Sequence, residues 1–388
     1  MKRLLFTFHR FDLGGVEKAF LGMLPELKRR GYEVHMAFWM PEGPLYDQIP
    51  AWVHRHTVTP LYERRALLMS PLRQTLRDVS RGRLGAIADF AAFVRSKIRG
   101  TKDIITDRLM RGTFLPDIEF DLAVSYASPH EYLDRVIARH VRARKRAAWI
   151  HFDVTRCYAS RRSFLSNHTA MDRIFLVSEA ARTAYCSMVP ELAPRTAVIH
   201  NIIDPDAILR QAAEPSAFRP SADGATDIVT VGRISTEKGQ AAAIAGFALA
   251  VRQGLNARYH LVGDGSDTDR CRALAAELGV ADRVIFYGSR SNPYPFMAGA
   301  GIYLQPSVHE GWCITLTEAK LFSAPIVATD FSGAREQLEG LRPNHVICPD
   351  HAPQTIAAAL HRASILPPAP PQPPTAPDLQ PLIELIGP

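Results

Sequence analysis

The sequence has no apolar stretch approaching the roughly twenty residues that a membrane-crossing helix needs. Its five cysteines (Cys157, Cys186, Cys271, Cys313, Cys348) are scattered and form no C-x-x-C pair. That pattern argues against a disulfide framework or a structural zinc site, and for a reducing compartment. The opening run Met1-Lys-Arg-Leu-Leu-Phe-Thr-Phe-His9 is too short and too soon interrupted for a secretory signal, so a buried first strand is expected there. No G-x-S-x-G elbow, H-E-x-x-H pair or G-x-G-x-x-G loop occurs. The nucleophile-elbow hydrolases, zinc proteases and dinucleotide-binding folds therefore lack their signatures.

What is present fits a globular chain with a large core. Hydrophobic residues make up 47% of the 388 positions and charged residues 22%, enough for about two domains of ordinary size. The net charge of +7 is localised. Residues 61–112 hold twelve Lys/Arg against five Asp/Glu, a difference equal to the whole-chain excess. Leu84, Ile87, Ala91, Val94 and Ile98 recur there at helical spacing, with Arg95, Arg99 and Lys102 on other faces. Such a segment is suited to an anionic membrane surface or an anionic acceptor, and equally to a solvated arginine-rich helix. Nucleic acid is disfavoured, because no recognised binding module accompanies the charge. Residues 367–388 contain nine prolines in twenty-two positions and are expected to be an extended tail.

Short apolar runs alternate with helical patterns over most of the length. Strands are expected at Leu4–Phe8, Glu33–Phe38, Leu122–Tyr126, Ala147–Ile150, Arg173–Val177 and Thr196–Ile199. A second series is expected at Asp227–Val231, Arg258–Val262, Arg283–Tyr287, Ile302–Leu304 and Pro325–Ala328. Runs this short and apolar suit parallel sheets covered on both faces. One sheet would not usually hold them all, so the expected fold class is α/β with two doubly wound domains and a switch near 201–206. The boundaries read as 1–203 with a basic helical insert at about 61–115, then 204–364, then a proline-rich tail over 365–388. Asp204-Pro-Asp206 is read as a turn rather than a metal clamp.

The chemistry concentrates in loops that follow strands. Glu310 and Glu318 lie in Ser307-Val-His-Glu-Gly-Trp-Cys-Ile-Thr-Leu-Thr-Glu-Ala319, the first in a strand-to-helix loop and the second inside the helix. Carboxylates at a sheet's carboxyl edge can grip hydroxyl-rich ligands. Thr315 and Glu318 also form a T-x-x-E pattern that could cap the helix with no ligand at all. Val231-Gly-Arg-Ile-Ser-Thr-Glu-Lys-Gly239 sets Arg233 and Lys238 around another helix start. Cations oppose the macrodipole there unless an anion docks, although basic loop residues often face solvent. Gly14 and Gly15 follow the first strand and permit close backbone approach, or a mere tight turn. Gly288 and Ser289 follow a later strand and could line a base pocket, while Gly263-Asp-Gly265 reads as structural. His151, with Asp153 nearby, ends an apolar run, where it could act as base, donor or plain structural histidine.

In order and spacing these pieces resemble glycosyltransferase family 4, the retaining GT-B sugar transferases of bacterial surface-polysaccharide type. The resemblance is strongest over 227–340, on Val231-Gly-Arg233…Glu237-Lys-Gly239, Val262-Gly-Asp-Gly265, Phe286-Tyr-Gly288, Glu310-Gly311…Glu318-Ala319 and Pro325-Ile-Val-Ala-Thr-Asp330…Gly333. Gly14-Gly15-Val-Glu17 and Ala148-Trp-Ile-His151 agree in the first half, while residues 60–115 match nothing of the kind. The resemblance implies a GT-B architecture of two Rossmann-like domains facing a central cleft. It also implies a hexosyl transfer from an NDP-sugar, UDP or GDP, to a lipid-linked or growing saccharide acceptor, without a metal or other cofactor. Arg233 and Lys238 would bind the diphosphate, Glu310 the sugar hydroxyls and Glu318 the ribose. Gly14 and Gly15 would approach the diphosphate, with His151 near the reacting sugar. Gly232, Gly288, Ser289, Gly311, Ile314 and Thr315 would complete the donor site. The expected location is cytoplasmic, on the cytosolic face of a membrane. The rivals are a GT-B epimerase or phosphorylase, and a non-catalytic scaffold that binds nucleotide sugar. Trp312-Cys313 and Lys320 depart from the family's usual residues, and the proline-rich end from its returning helix.

Overall fold

The computed structural model describes all residues except 153, 157–159, 222, 341, 342, 373–377 and 388. Asp153 and Cys157 therefore lie outside the described residues. The chain forms two compact units, 1–202 with 378–388, and 203–377.

In the first unit, seven parallel strands run β1 Arg3–Phe8, β2 Glu33–Phe38, β3 His54–Thr57, β4 Phe120–Ser128, β5 Ala143–Ile150, β6 Arg173–Leu176 and β7 Thr196–Val198. Their order in the sheet is β3-β2-β1-β4-β5-β6-β7. Leu4, Leu5, Phe6 and Phe8 of β1 are fully buried, as a central strand covered on both faces requires. Phe6, Phe8, Phe20 and Tyr126 pack edge to face or tilted around it, with ring centroids 4.9–6.0 Å apart.

The second unit holds β8 Thr226–Val231, β9 Ala257–Val262, β10 Val284–Gly288, β11 Ile302–Gln305, β12 Ile326–Thr329 and β13 His345–Cys348. These are also parallel, in the order β10-β9-β8-β11-β12-β13. Two strands escape the sequence reading, β3 and β13. Both lie at sheet edges, where a strand needs no continuous apolar run, and β3 reads His-Arg-His-Thr.

Two expectations need correction. The tail does not stay extended throughout, since Gln380–Ile386 is a helix counted with the first unit. Pro381 lies in its first turn, where no amide donor is required, and Leu379, Leu382 and Ile386 are buried. Asp204 is not a turn residue but the N-cap of helix Pro205–Ala212, its carboxylate accepting from Ala207 N at 2.9 Å.

The carboxyl edge of the second sheet is crowded backbone on backbone. Gly232 N donates to Val262 O, and Gly263 N to Gly288 O, both at 3.0 Å. A Cβ on Gly263 would lie 1.8 Å from Gly232 O, and one on Gly265 would lie 2.2 Å from Ile234 O. Gly279 also has positive φ, but nothing lies within 4 Å of its missing Cβ. Gly263→Ala should therefore cost at least about 2 kcal/mol more stability than Gly279→Ala. Denaturant unfolding of the two variants checks this, and equal losses would contradict the packing described.

Candidate functional site

Strand order reverses between β1 and β4 in the first sheet and between β8 and β11 in the second. Ligands of open α/β sheets bind outside the carboxyl ends of strands at such points. In the second unit, the loops after β8 and β11 carry Lys238 and Glu310.

The chain leaves β8 through Gly232 and makes a tight turn at Thr236–Lys238. It then reaches Gly239, at φ +70°. A Cβ there would lie 2.0 Å from Pro306 O, so glycine lets this turn rest on the loop after β11. Val308 N donates to Glu237 O at 2.9 Å and ties the two loops together. Buried Gln240 spans the first loop, accepting from Ser235 N at 3.3 Å and donating to Arg233 O at 2.9 Å. Helix Gln240–Arg252 starts here with no side-chain cap.

Lys238 Nζ donates to Glu310 Oε1 at 2.6 Å, and Ser307 Oγ donates to the same oxygen at 2.7 Å. Ser307 is fixed in turn, since its Oγ accepts from Gln305 Nε2 at 2.9 Å and its carbonyl accepts from Thr329 Oγ1 at 2.6 Å. The Lys238 and Glu310 side chains are only 23% and 10% exposed. Burial alone would lower the lysine pKa, but the Glu310 carboxylate outweighs it and the ammonium titrates above its ordinary range. The result is an ion pair held in a fixed position at the start of helix Gln240–Arg252, which has no side-chain cap. An anion that displaced the carboxylate would meet the ammonium and the helix start together.

Arg233 is placed differently. It is 67% exposed and pairs with Glu237 at 3.1 Å, so it stands at the rim rather than in the buried pair. Glu318, in helix Ile314–Ala319, is buried and accepts from Tyr294 OH at 2.9 Å. The T-x-x-E capping box does not form. Cys313 occupies the N-cap, and Thr315 Oγ1 donates to Gln305 Oε1 at 3.1 Å instead. Ile314 opens that helix, Gly311 is buried before it, and Gly288 and exposed Ser289 leave β10 on the same sheet edge. Lys320 is buried, its ammonium donating to Gln337 O at 3.3 Å.

Gly14, Gly15 and His151 belong to the first unit. Gly14 caps helix Gly15–Arg29 from an extended conformation, and a Cβ on it would lie 2.3 Å from Glu17 Oε2. The Glu17 carboxyl thus folds back over the glycine loop. Burial, assisted by the Asp12 charge, pushes it up to about 7 against the lowering effect of backbone hydrogen bonds. His151 is buried beside Tyr126, ring centroids 4.6 Å apart, and its Nδ1 lies 3.0 Å from Asn201 Oδ1. Burial drives its pKa to about 3, despite hydrogen bonds to Asn201 and the Tyr126 backbone that raise it. The imidazole is therefore neutral at ordinary pH and suited to hydrogen bonding rather than to charge.

Sequence reading missed Ser307, Gln305, Tyr294, Glu17 and Asn201 as partners in these sites. Only Glu17 carried a local signal, three residues after a helix-capping glycine. At the other end of the first sheet, Glu33, His35 and His54 bring three ligand-type atoms within 4.8 Å of one another. Glu33 bonds Arg3 at 3.2 Å and His35 at 3.0 Å, and His35 bonds His56 at 2.9 Å. The His35 and His54 rings stack with planes 20° apart, so one ion could not lie in both ring planes without a ring turning.

Residues 214–370, most of the second unit, match the family of glycosyl transferases group 1. Among curated relatives, the lipopolysaccharide 1,6-galactosyltransferase of Salmonella typhimurium is 36% identical over 87 residues, 21% of this chain and 24% of that protein. The N-acetylgalactosamine-N,N'-diacetylbacillosaminyl-diphospho-undecaprenol 4-alpha-N-acetylgalactosaminyltransferase of Campylobacter jejuni is 32% identical over 140 residues, 36% of each chain. The matched stretches thus cover well under half of these relatives' lengths. Among solved structures, Anabaena Alr3699/HepE in complex with UDP superposes with a TM-score of 0.63 at 17% identity, covering 94% of this chain and 92% of that one. A mutant of S. aureus TarM gives 0.66 at 12% identity, over 94% and 93%. At these identities the likeness establishes the fold, two Rossmann-like domains of the GT-B kind.

Glu17 gives a pH test of this geometry. Its folded-state pKa is raised, so its contribution to stability is complete below about pH 4.5 and is lost as pH rises through about 7. Glu17→Gln should flatten the stability–pH curve across that window in denaturant unfolding. An unchanged slope would show that the carboxyl is not folded over the loop.

Proposed function

We infer that the protein is a retaining glycosyltransferase that moves a hexose from a UDP- or GDP-sugar to a lipid-linked or growing saccharide acceptor. The observation that carries this reading is the Lys238–Glu310 pair at the start of helix Gln240–Arg252. A diphosphate and a sugar need opposite things from a protein, and this pair offers both within one hydrogen bond. Lys238 and the helix amides suit the diphosphate, and Glu310, already oriented by Ser307, suits sugar hydroxyls. Glu318, Gly311, Ile314 and Thr315 extend the donor site along the same loop, with Gly288 and Ser289 toward the base. Arg233 adds rim charge, and Gly14, Gly15 and His151 are the first unit's own candidate ligand contacts.

During transfer, the bond from the anomeric carbon to the diphosphate breaks and its electron pair goes to the phosphate oxygen. The acceptor hydroxyl oxygen forms the new bond on the same face, and its proton leaves with the diphosphate. Lys238 stabilises the charge that grows on the leaving group, without a metal. His151, neutral, is suited to a hydrogen bond with an uncharged ligand group. The diphospho-undecaprenol in the Campylobacter relative's name supports a lipid-linked acceptor, and the reaction would then run on the cytosolic face of a membrane. The names of the relatives favour transfer over epimerisation, phosphorolysis or a non-catalytic scaffold.

A panel of nucleotide sugars, followed by release of nucleoside diphosphate with and without saccharide or polyprenyl-diphosphate acceptors, identifies the donor. Release that rises sharply with acceptor is expected, and acceptor-independent epimerisation would overturn the reading. With that donor saturating, Lys238→Ala should lower turnover about a hundredfold or more with the fold intact by circular dichroism. Arg233→Ala, at an exposed position, should cost less. Near-normal turnover in Lys238→Ala would contradict the phosphate assignment.

A further inference from the structure

Helices Pro71–Ser80 and Gly85–Arg99 pack against each other inside the basic segment, with carboxylates buried and several large aliphatic side chains exposed. A surface helix ordinarily turns its large apolar side chains to the core and its polar ones to water. The fully buried residues of Gly85–Arg99 are Ala86, Asp89, Ala92 and Ser96, and half-buried Phe93 packs on the core beside them. On the outward face, Leu84, Ile87 and Ile98 are 69%, 55% and 80% exposed. The shorter helix repeats the pattern, with Thr75 and Asp78 buried and Leu72 and Leu76 exposed by 59% and 64%.

The inward polar face is held by specific partners. Asp89 accepts from Arg108 Nε at 2.6 Å and lies 3.8 Å from both Arg64 and Arg111. Asp78 lies 3.4 Å from Arg83 and 3.7 Å from Arg64. Ser96 Oγ accepts from Ile105 N at 2.9 Å. Turning either helix to hide its leucines would break the ion pairs of Asp78 and Asp89 and take both carboxylates away from Arg64, Arg83 and Arg108. The apolar face is therefore locked outward. Arg73, Arg77, Arg81, Arg95, Lys97 and Arg99 are exposed around it.

We propose that this face docks the protein onto an anionic lipid surface, the leucines and isoleucines entering the headgroup region and the arginines meeting lipid phosphates. Charge decides between occupants. A second copy of the same face would bring like charges together, whereas an anionic bilayer complements both the aliphatic centre and the cationic surround. Single-stranded nucleic acid would call for aromatic stacking platforms, and the outward large side chains here are aliphatic. The surface lies far along the chain from Lys238 and Glu310, and the proposal does not depend on the reaction assigned to them.

Flotation of the full chain with vesicles tests it, comparing pure phosphatidylcholine with equal parts phosphatidylcholine and phosphatidylglycerol. Binding is expected to the anionic vesicles alone, falling steeply with added salt. The combined variant Leu72→Ser, Leu76→Ser, Ile87→Ser, Ile98→Ser should weaken it by about tenfold or more, as should Arg73→Gln, Arg77→Gln, Arg95→Gln. Both variants alter exposed side chains and should keep the wild-type melting curve, which separates lost docking from lost folding. Absence of vesicle binding, equal binding to neutral vesicles, or full binding by both variants would overturn the proposal. So would a wild-type dimer in sedimentation that the serine variant abolishes without affecting vesicle binding.

Discussion

Lys238 and Glu310 stand 72 residues apart in sequence and share a hydrogen bond of 2.6 Å. The rest of the second unit's carboxyl edge is arranged so that this contact forms. Gly239 lets one loop settle on the other at Pro306, Val308 N clips the loops together, and Ser307 holds the carboxylate from its far side. A largely buried pair of this kind is poor evidence for stability, because desolvation offsets much of the attraction. Its value lies in preorganisation. On the function proposed above, each charge is kept in place by the other until a ligand supplies a better partner, phosphate for the ammonium and hydroxyls for the carboxylate.

The first unit is built on a different principle. Around the carboxyl ends of β4 and β5 it offers Tyr126, Trp149 and a neutral His151 rather than fixed charge. Glu17 adds a carboxyl that burial brings into the neutral pH range. Such surroundings suit uncharged hydroxylated groups, approached by ring faces and single hydrogen bonds. The same unit also carries the helices whose aliphatic side chains face solvent, held there by Asp78 and Asp89. Buried ion pairs thus recur in both units as devices of orientation.

The sequence made the central features legible for clear reasons. Central strands such as β1 and β8 read plainly because burial on both faces demands continuous apolar runs. Lys238 and Glu310 were visible because charged residues beside glycines, after strands, have few structural duties. Edge strands β3 and β13 were not, since an edge can be polar. The helix at Gln380–Ile386 was obscured by prolines that are harmless in a first turn or precede it. Thr315 and Glu318 matched a local capping pattern, yet long-range partners, Gln305 and Tyr294, claimed both side chains. Distant contacts of that kind leave no periodic trace in a single sequence. The outward apolar stripe of Gly85–Arg99 was readable as a stripe. Which way it faced depended on Arg64, Arg108 and Arg111 elsewhere in the chain.

The central claim is that the Lys238–Glu310 pair is a divided ligand site and not a structural clasp. Titration calorimetry of UDP or GDP, whichever the wild type binds, against Lys238→Ala, Glu310→Ala and the double variant tests it most directly. The account predicts that Lys238→Ala weakens the nucleoside diphosphate by about tenfold or more. Glu310→Ala should leave that affinity unchanged or tighter, because it frees the ammonium, while weakening the complete nucleotide sugar. Equal losses of nucleoside diphosphate binding in both single variants, with no further loss in the double, would contradict it.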